Sequence, residues 1–233
     1  MEISVSFTPS EALDAEAAIV VDVIRATSTI AAALASGFEA VRCVTTVEDA
    51  LALRGECRLA GERDCLPVEG FDFGNSPAEI AAARGSGELA LTTTNGTRLL
   101  IAACERSERV YAGALANLDA VARAVRASGA PRVAVLCAGS DGFFSLDDAY
   151  TAGRFVRALD GDADDSAVAA TALADALGSP HGVLDRSRSA ARLRAVGLEA
   201  DVDWCAQVSV VDVVPVVMDR GPATATLRAE PGA

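Results

Sequence analysis

An α/β fold of three layers, α/β/α around a mostly parallel or mixed sheet, is what this sequence predicts, on three observations. Short β-rich runs alternate with Ala/Leu-rich helical stretches along the chain. Several of those runs are apolar at nearly every position, as strands covered on both faces must be. Of the 233 residues, 51% are hydrophobic but only 4% aromatic, so the core must be Ala, Val and Leu.

In chain order, the strands are expected at 2–7, 18–24, 40–45, 57–60, 89–93, 109–112, 132–137 and 208–214. Helices fill the intervals at 29–35, 47–53, 77–84, 97–104, 118–128, 146–159 and 166–177. Ser76-Pro77 and Thr46-Val47-Glu48-Asp49 read as helix starts, and Gly37, Gly85 and Gly129 as the residues just past three helix ends. The acidic run from Gly161 to Asp165 reads as a solvated loop, because it lacks the glycine and terminal glutamate of a calcium loop. One domain is expected over 1–218, with 219–233 as a tail that is either an added edge strand or a frayed end.

A weak internal repeat runs through this pattern. TSTIAAALASGFEAVRCVTTVEDAL from Thr27 superimposes on NGTRLLIAACERSERVYAGALANLDAV from Asn95, with Thr29 on Thr97, Val41 on Val110 and Asp49 on Asp119. Two similar βα halves would produce it; so would a chance likeness of two Ala-rich units. Polar turns follow three apolar strands, and in an open parallel sheet ligands bind at the carboxyl ends of strands.

Composition narrows the chemistry. Thirty-three acidic against 20 basic residues give a net charge of −13 with no basic run, which argues against a nucleic-acid or anionic-membrane surface and for a small-molecule partner. All the basic residues are Arg, so Schiff-base and P-loop lysines are excluded and cationic catalysis falls to Arg or a metal. Six dispersed cysteines without a C-x2-C pair, and His181 as the one histidine, exclude a zinc site and suit a reduced, cytoplasmic protein. No signal-peptide h-region or long apolar span stands out.

Four stretches could carry chemistry. In VVDVIRATST a charge interrupts an apolar strand at Asp22, so Asp22 either pairs with Arg25 or helps hold a cation, while Thr27, Ser28 and Thr29 either cap a helix or seat an anion. In LTTTNGTR the turn Thr94-Asn95-Gly96-Thr97 lets backbone N–H groups approach an oxyanion, and Arg98 adds a planar fork. In GER followed by VEGFDFGNSP, a long loop closes a site, with Glu62 as ligand, base or surface residue. In CAGSDGFFSLDD a glycine loop precedes Asp147 and Asp148, a magnesium pair or a capped helix start; Cys137 lacks the Arg that a phosphocysteine loop needs.

Taken together, VVDVIRATSTI, GER with FDFGNSP, TTTNGTR, GALAN and CAGSDGFFSLDDAYTAG resemble, in order, the signature blocks of the 2-phosphosulfolactate phosphatase family over roughly residues 1–215. The resemblance implies a Mg2+-dependent hydrolysis of (R)-2-phospho-3-sulfolactate to (R)-3-sulfolactate and phosphate, as in coenzyme M biosynthesis, by a cytoplasmic homodimer. Carried onto this sequence, it implies catalytic roles for Asp22, Arg25, Glu62 and Arg98. It implies substrate contacts from Thr27, Ser28, Asn75, Ser76, Thr94, Asn95, Gly96, Thr97 and Gly139, and a metal held by Asp22, Glu62, Asp147 and Asp148. Two places depart from the family pattern: Asp147-Asp148 stands where Glu-Asp is usual, and Asp64-Cys65-Leu66 has no counterpart. Arg25 and Arg98 are expected on opposite sides of one cleft, holding the substrate's anions. The alternatives are a phosphatase for another small phosphorylated hydroxy acid or sugar phosphate, and an anion-binding protein without turnover.

Overall fold

The computed structural model describes residues 1–11 and 13–230. Its first unit runs β1 (Glu2–Ser6), β2 (Ala15–Val21), α1 (Ala26–Ser36), β3 (Ala40–Val44), α2 (Val47–Ala52) and β4 (Cys57–Arg63). A two-residue strand β5 (Leu66–Pro67), α3 (Pro77–Ala82), β6 (Glu88–Thr92), α4 (Gly96–Ala103), β7 (Ser107–Gly113), α5 (Leu118–Ala127) and β8 (Arg132–Cys137) follow. Then come α6 (Leu146–Leu159), β9 (Asp162–Ala163), α7 (Asp165–Leu177), α8 (Pro180–Leu184), α9 (Arg188–Ala195), α10 (Glu199–Cys205), β10 (Pro215–Gly221) and β11 (Thr224–Ala229).

The strands form one mixed sheet in the order β5-β4-β6-β3-β11-β10-β7-β2-β8-β1-β9. Period-2 alternation divides its side chains between two cores. Ile19 and Val21 of β2 face one core with Val133 and Val135 of β8, under α5, α6, α7, α9 and α10. Ala18 and Val20 face the other with Ala134 and Leu136, under α1, α3 and α4. Three layers, α/β/α, are the result.

The strand order also settles the meaning of the repeat. When β2 is exchanged with β6, β3 with β7, β4 with β8 and β10 with β11, the eight strands from β4 to β8 read the same backwards. Within each half the strands are parallel: β3 with β6 and β6 with β4, β7 with β2 and β2 with β8. Within the sheet, among the described residues, the antiparallel hairpin β10–β11 joins the halves, β11 to β3 and β10 to β7.

That hairpin corrects the expectation for 219–233. The segment is neither an edge strand nor frayed as far as Ala229, since β11 lies in the middle of the sheet; residues 231–233 lie outside the described residues. The strand expected at 208–214 is also displaced, and pairing begins only at Pro215. Residues 208–214 instead run past a 3-10 turn (Leu115–Asn117), with Ser209 and Val211 donating N–H bonds to the carbonyls of Leu115 and Ala116. Proline lacks a donor yet fits the first residue of a strand.

Other corrections are local. The acidic run is no solvated loop: Asp162–Ala163 pairs with β1, and the Asp164 carboxylate caps α7 by accepting from Ala167 N–H. Gly85 is not a left-handed residue past a helix end; a Cβ there would lie 2.5 Å from Phe38 N, so glycine is required for close approach. All six cysteines are free thiols, as expected.

Candidate active site

Polar turns follow β2, β6, β4 and β8, and the swapped pairing of the two halves gathers them at one cleft. It is lined by Asp22, Arg25, Glu62, Cys65, Asn75, Thr94, Asn95, Gly139 and, from α9, Ser189 and Arg192.

After β2, the Thr27 hydroxyl donates to the carbonyl of Asp22 at 2.9 Å and accepts from its N–H at 3.2 Å. The Ser28 hydroxyl donates back to Val23 O. These hydroxyls, and that of Thr29, are buried and turned inward, so they neither cap α1 nor seat an anion; the residue at the cap position is Arg25. Spent on backbone, they hold the turn so that Asp22 Oδ1 accepts from Ala26 N–H, at 3.3 Å. Asp22 Oδ2 makes no hydrogen bond among the described residues.

The turn after β6 repeats the device. Thr97 Oγ1 accepts from Thr93 N–H and donates to Thr93 O, so its structural match is Thr27, not Thr29. Here too the cap residue, Asn95, makes no side-chain cap bond. The N-termini of α1 and α4 meet, and a Cβ on Gly96 would lie 2.5 Å from both Ala26 Cβ and Asp22 Oδ2. Two partly positive helix ends therefore converge on one carboxylate.

Four buried carboxylates surround this point. Glu62 Oε1 accepts from Thr94 N–H and the Thr94 hydroxyl, and Oε2 from Cys65 N–H. Asp148 accepts from Val23 N–H and Gly139 N–H, each at 2.9 Å, tying the turn after β2 to the turn after β8. Asp147 accepts from the Ser145 hydroxyl. Asp147 and Asp148 lie behind the cleft rather than on its wall. Burial first, then the nearby charges of Glu62 and Asp147, push the Asp22 carboxyl up to about 7 from the ordinary 3.8. Burial likewise raises Asp147 and, with the charges of Asp147 and Asp22, raises Asp148 strongly.

Arg25 does not pair with Asp22. Its guanidinium donates to Asp201 of α10 at 2.7 Å and to Cys65 O at 2.9 Å, with both members of the ion pair almost fully buried. Asp201 also accepts from the Ser76 hydroxyl, which caps α3 by accepting from Glu79 N–H. Cys65 and Asp64, both at positive φ, are the two residues of the β4–β5 hairpin, and this turn aims the Cys65 carbonyl at Arg25.

Of the expected site residues, then, Asp22, Arg25, Glu62, Asn75, Thr94, Asn95 and Gly139 line the cleft, with Gly96 packed against Asp22. Thr27, Ser28, Ser76 and Thr97 support it from behind. Arg98 is misplaced: α4 buries Gly96, Thr97, Leu100 and Ile101, and that helical periodicity leaves Arg98 exposed, off the cleft. The second arginine of the cleft is Arg192. Sequence reasoning missed it together with Asp201 and Ser189; the only available signal was a cluster of Arg and Asp in the helical stretch after Asp160. His181 bonds Asp203 at an exposed position away from the cleft.

Two features of the donor set suit a cation. Asn75 Oδ1 is buried without a hydrogen-bond partner, and Asp22 Oδ2 is free amid buried negative charge. Yet among the described residues no three His, Cys, Asp or Glu side chains converge on one ion position. Magnesium commonly takes one or two carboxylates and completes its shell with water and substrate phosphate, a pattern that needs no such cage.

Comparison with known proteins gives the family. A family model described as 2-phosphosulpholactate phosphatase matches residues 4–220. A Thermus thermophilus protein named probable 2-phosphosulfolactate phosphatase is 41% identical over 227 residues, covering 94% of this chain and 96% of that one. Proteins with the same name from Deinococcus radiodurans and Gloeobacter violaceus are 39% and 40% identical, over 90% and 92% of this chain and 92% and 94% of theirs. The chain belongs to the 2-phosphosulfolactate phosphatase family.

Proposed function

We propose that the chain hydrolyses 2-phosphosulfolactate to 3-sulfolactate and phosphate with Mg2+, at the cleft around Asp22. The observation that carries the reading is the unpartnered Asp22 Oδ2, set among buried carboxylates where two helix N-termini meet. Asp22 and Glu62 would hold Mg2+, with Asp147 and Asp148 adding charge from behind. Bound there, Mg2+ would supply the positive charge that a phosphoryl group needs against so many carboxylates.

The residues do the rest. In the net reaction a water oxygen bonds to phosphorus, the bond from phosphorus to the ester oxygen breaks, and the proton that the water gives up ends on the leaving alkoxide. Phosphate monoesters react so slowly uncatalysed that accelerations up to about 10²¹-fold are involved, so charge must be fixed before the reaction begins. Arg25 is fixed by Asp201 and Cys65 O and keeps a permanent positive charge on the wall. Asn75 and Asn95, both on the cleft wall, would present amides to the phosphoryl oxygens. Asp148 holds the turns after β2 and β8 in register, so it is a positioning residue.

The same reading includes a cytoplasmic homodimer working in coenzyme M biosynthesis. Free thiols support the compartment. Among the described residues no helix is long and apolar enough to cross a membrane.

The test is phosphate release from a panel of acid phosphates and sugar phosphates, with Mg2+ and with a chelator. Multiple turnovers that need Mg2+, with 2-phosphosulfolactate highest in kcat/KM, are expected. A different best substrate replaces the sulfonate reading, and binding without turnover replaces the enzyme.

A further inference from the structure

The two arginines of the cleft are held very differently. Arg25 and Asp201 are 3% and 2% exposed, and the guanidinium is also tied to a backbone carbonyl. Breaking such a buried pair leaves an uncompensated charge, so Arg25 cannot be re-aimed. Arg192 pairs at 2.7 Å with Asp141, on the glycine turn after β8, and both side chains are more than half exposed. Its second contact is the Ser140 hydroxyl at 3.2 Å. An exposed pair of this kind adds little to stability, so another anion can displace Asp141 at little cost.

Position points the same way. Arg192 borders both the cleft at Asp22 and the adjoining cavity, which is walled by Phe143 and Phe144 and also lined by Arg188. Cys65, whose carbonyl accepts from Arg25, lines the same cleft as Arg192, so the two cations share one wall system. With the phosphoryl group at Asp22, the rest of a substrate would extend toward Arg192.

We propose that Arg192 is the specificity-determining residue of this cleft: it binds an anionic group, sulfonate or carboxylate, on the substrate's leaving portion, and Asp141 occupies it until that group arrives. This rests on the phosphatase reading for the location of the phosphoryl seat. Arginine suits the task because its planar fork matches two oxygens of a sulfonate or carboxylate at once.

Calorimetry on the full chain with Mg2+ tests it without turnover, using 3-sulfolactate and inorganic phosphate as probes. Arg192→Gln weakens 3-sulfolactate binding at least about tenfold and leaves phosphate within about twofold, while Asp141→Asn tightens 3-sulfolactate. Kinetics adds a second readout: Arg192→Gln raises KM for 2-phosphosulfolactate with little change in kcat, and lowers kcat/KM for glycerol 2-phosphate by a much smaller factor. Equal losses for both probes, no loss for either, or 3-sulfolactate binding too weak to detect in the parent protein would overturn the proposal. If the parent binds both probes with the expected difference but releases no phosphate from any substrate, the phosphatase reading fails and the anion site stands.

Discussion

Thr27 and Thr97 play one part in the two halves: each hydroxyl accepts from the N–H, and donates to the carbonyl, of the residue just past the end of the preceding strand. That residue is Asp22 in the first half and Thr93 in the second. The first turn is one residue longer, and its strand-end side chain is a carboxylate, where the second has a hydroxyl that accepts from Thr97 N–H. Ala26 and Gly96 occupy the same place beside these threonines, and they touch each other across the junction of the halves. Only one can carry a Cβ while leaving room for the acid. A duplicated scaffold has thus become a single site by unequal substitution: acid on one side, empty space on the other.

Exchanging the strand-end residues should separate the halves most. Asp22→Asn is expected to lower kcat/KM by about 10²–10³-fold, the range seen when a principal charge-stabilising group is lost, in a protein that stays folded. Thr93→Val should keep catalysis within about tenfold and appear mainly as a lower Tm, because the hydroxyl serves the backbone. Comparable catalytic losses from both would show that the turns share the chemistry.

Gly96→Ala comes next. The added methyl meets Ala26 and Asp22, an overpacking that costs about 1–3 kcal/mol and displaces the carboxylate. Adding Ala26→Gly should restore part of the stability in a denaturant titration but not the activity, since the clash with Asp22 persists. Full recovery of activity would mean that the empty space serves packing alone.

The acid half should also answer to pH. With Asp22 raised to about 7 in the folded chain against 3.8 for the ordinary group, the folded state binds the extra proton. The contribution of this group is therefore greatest at low pH and declines as pH rises from about 4 through 7, by on the order of 4 kcal/mol. Chelator-treated protein should melt higher at pH 5.5 than at pH 7.5; Asp22→Asn should flatten the difference, and Thr93→Val should leave it. A profile that Asp22→Asn does not change would assign the effect to Asp147 and Asp148.

The smallest effect belongs to Arg98, which lies in the second half but off the cleft. Arg98→Gln is expected to leave kcat/KM within about twofold, and a tenfold loss would put its side chain back at the substrate.

What the sequence disclosed about this arrangement was what is local. Strand runs, cap residues and the turns at 22–29 and 93–98 were readable because their cause lies within a few residues. The repeat was visible, but matching Thr29 to Thr97 misassigned the pivotal hydroxyl, since the extra residue of the first turn shows only in its hydrogen bonds. Asp201 lies 176 residues from Arg25, and no spacing announces such a pair. Arg98 was misjudged because adjacency to Asn95-Gly96 suggested the cleft, whereas its direction is set by which residues α4 buries. The run at 208–214 looked more like a strand than the one that starts with proline, because apolar density says nothing about which edges remain to be paired.

Those edges bear on how the chain is made. β10 and β11 leave the ribosome after every other strand of the sheet, yet they occupy its middle. Until they arrive, each half can zip up its own parallel strands but presents an open border, Ala40–Val44 on one and Ser107–Gly113 on the other. Unpaired borders of this kind readily recruit the wrong neighbour, including the same border on another nascent copy. The hairpin is therefore the keystone of assembly: laid last, it stitches the halves together and closes the vulnerable interval of biosynthesis.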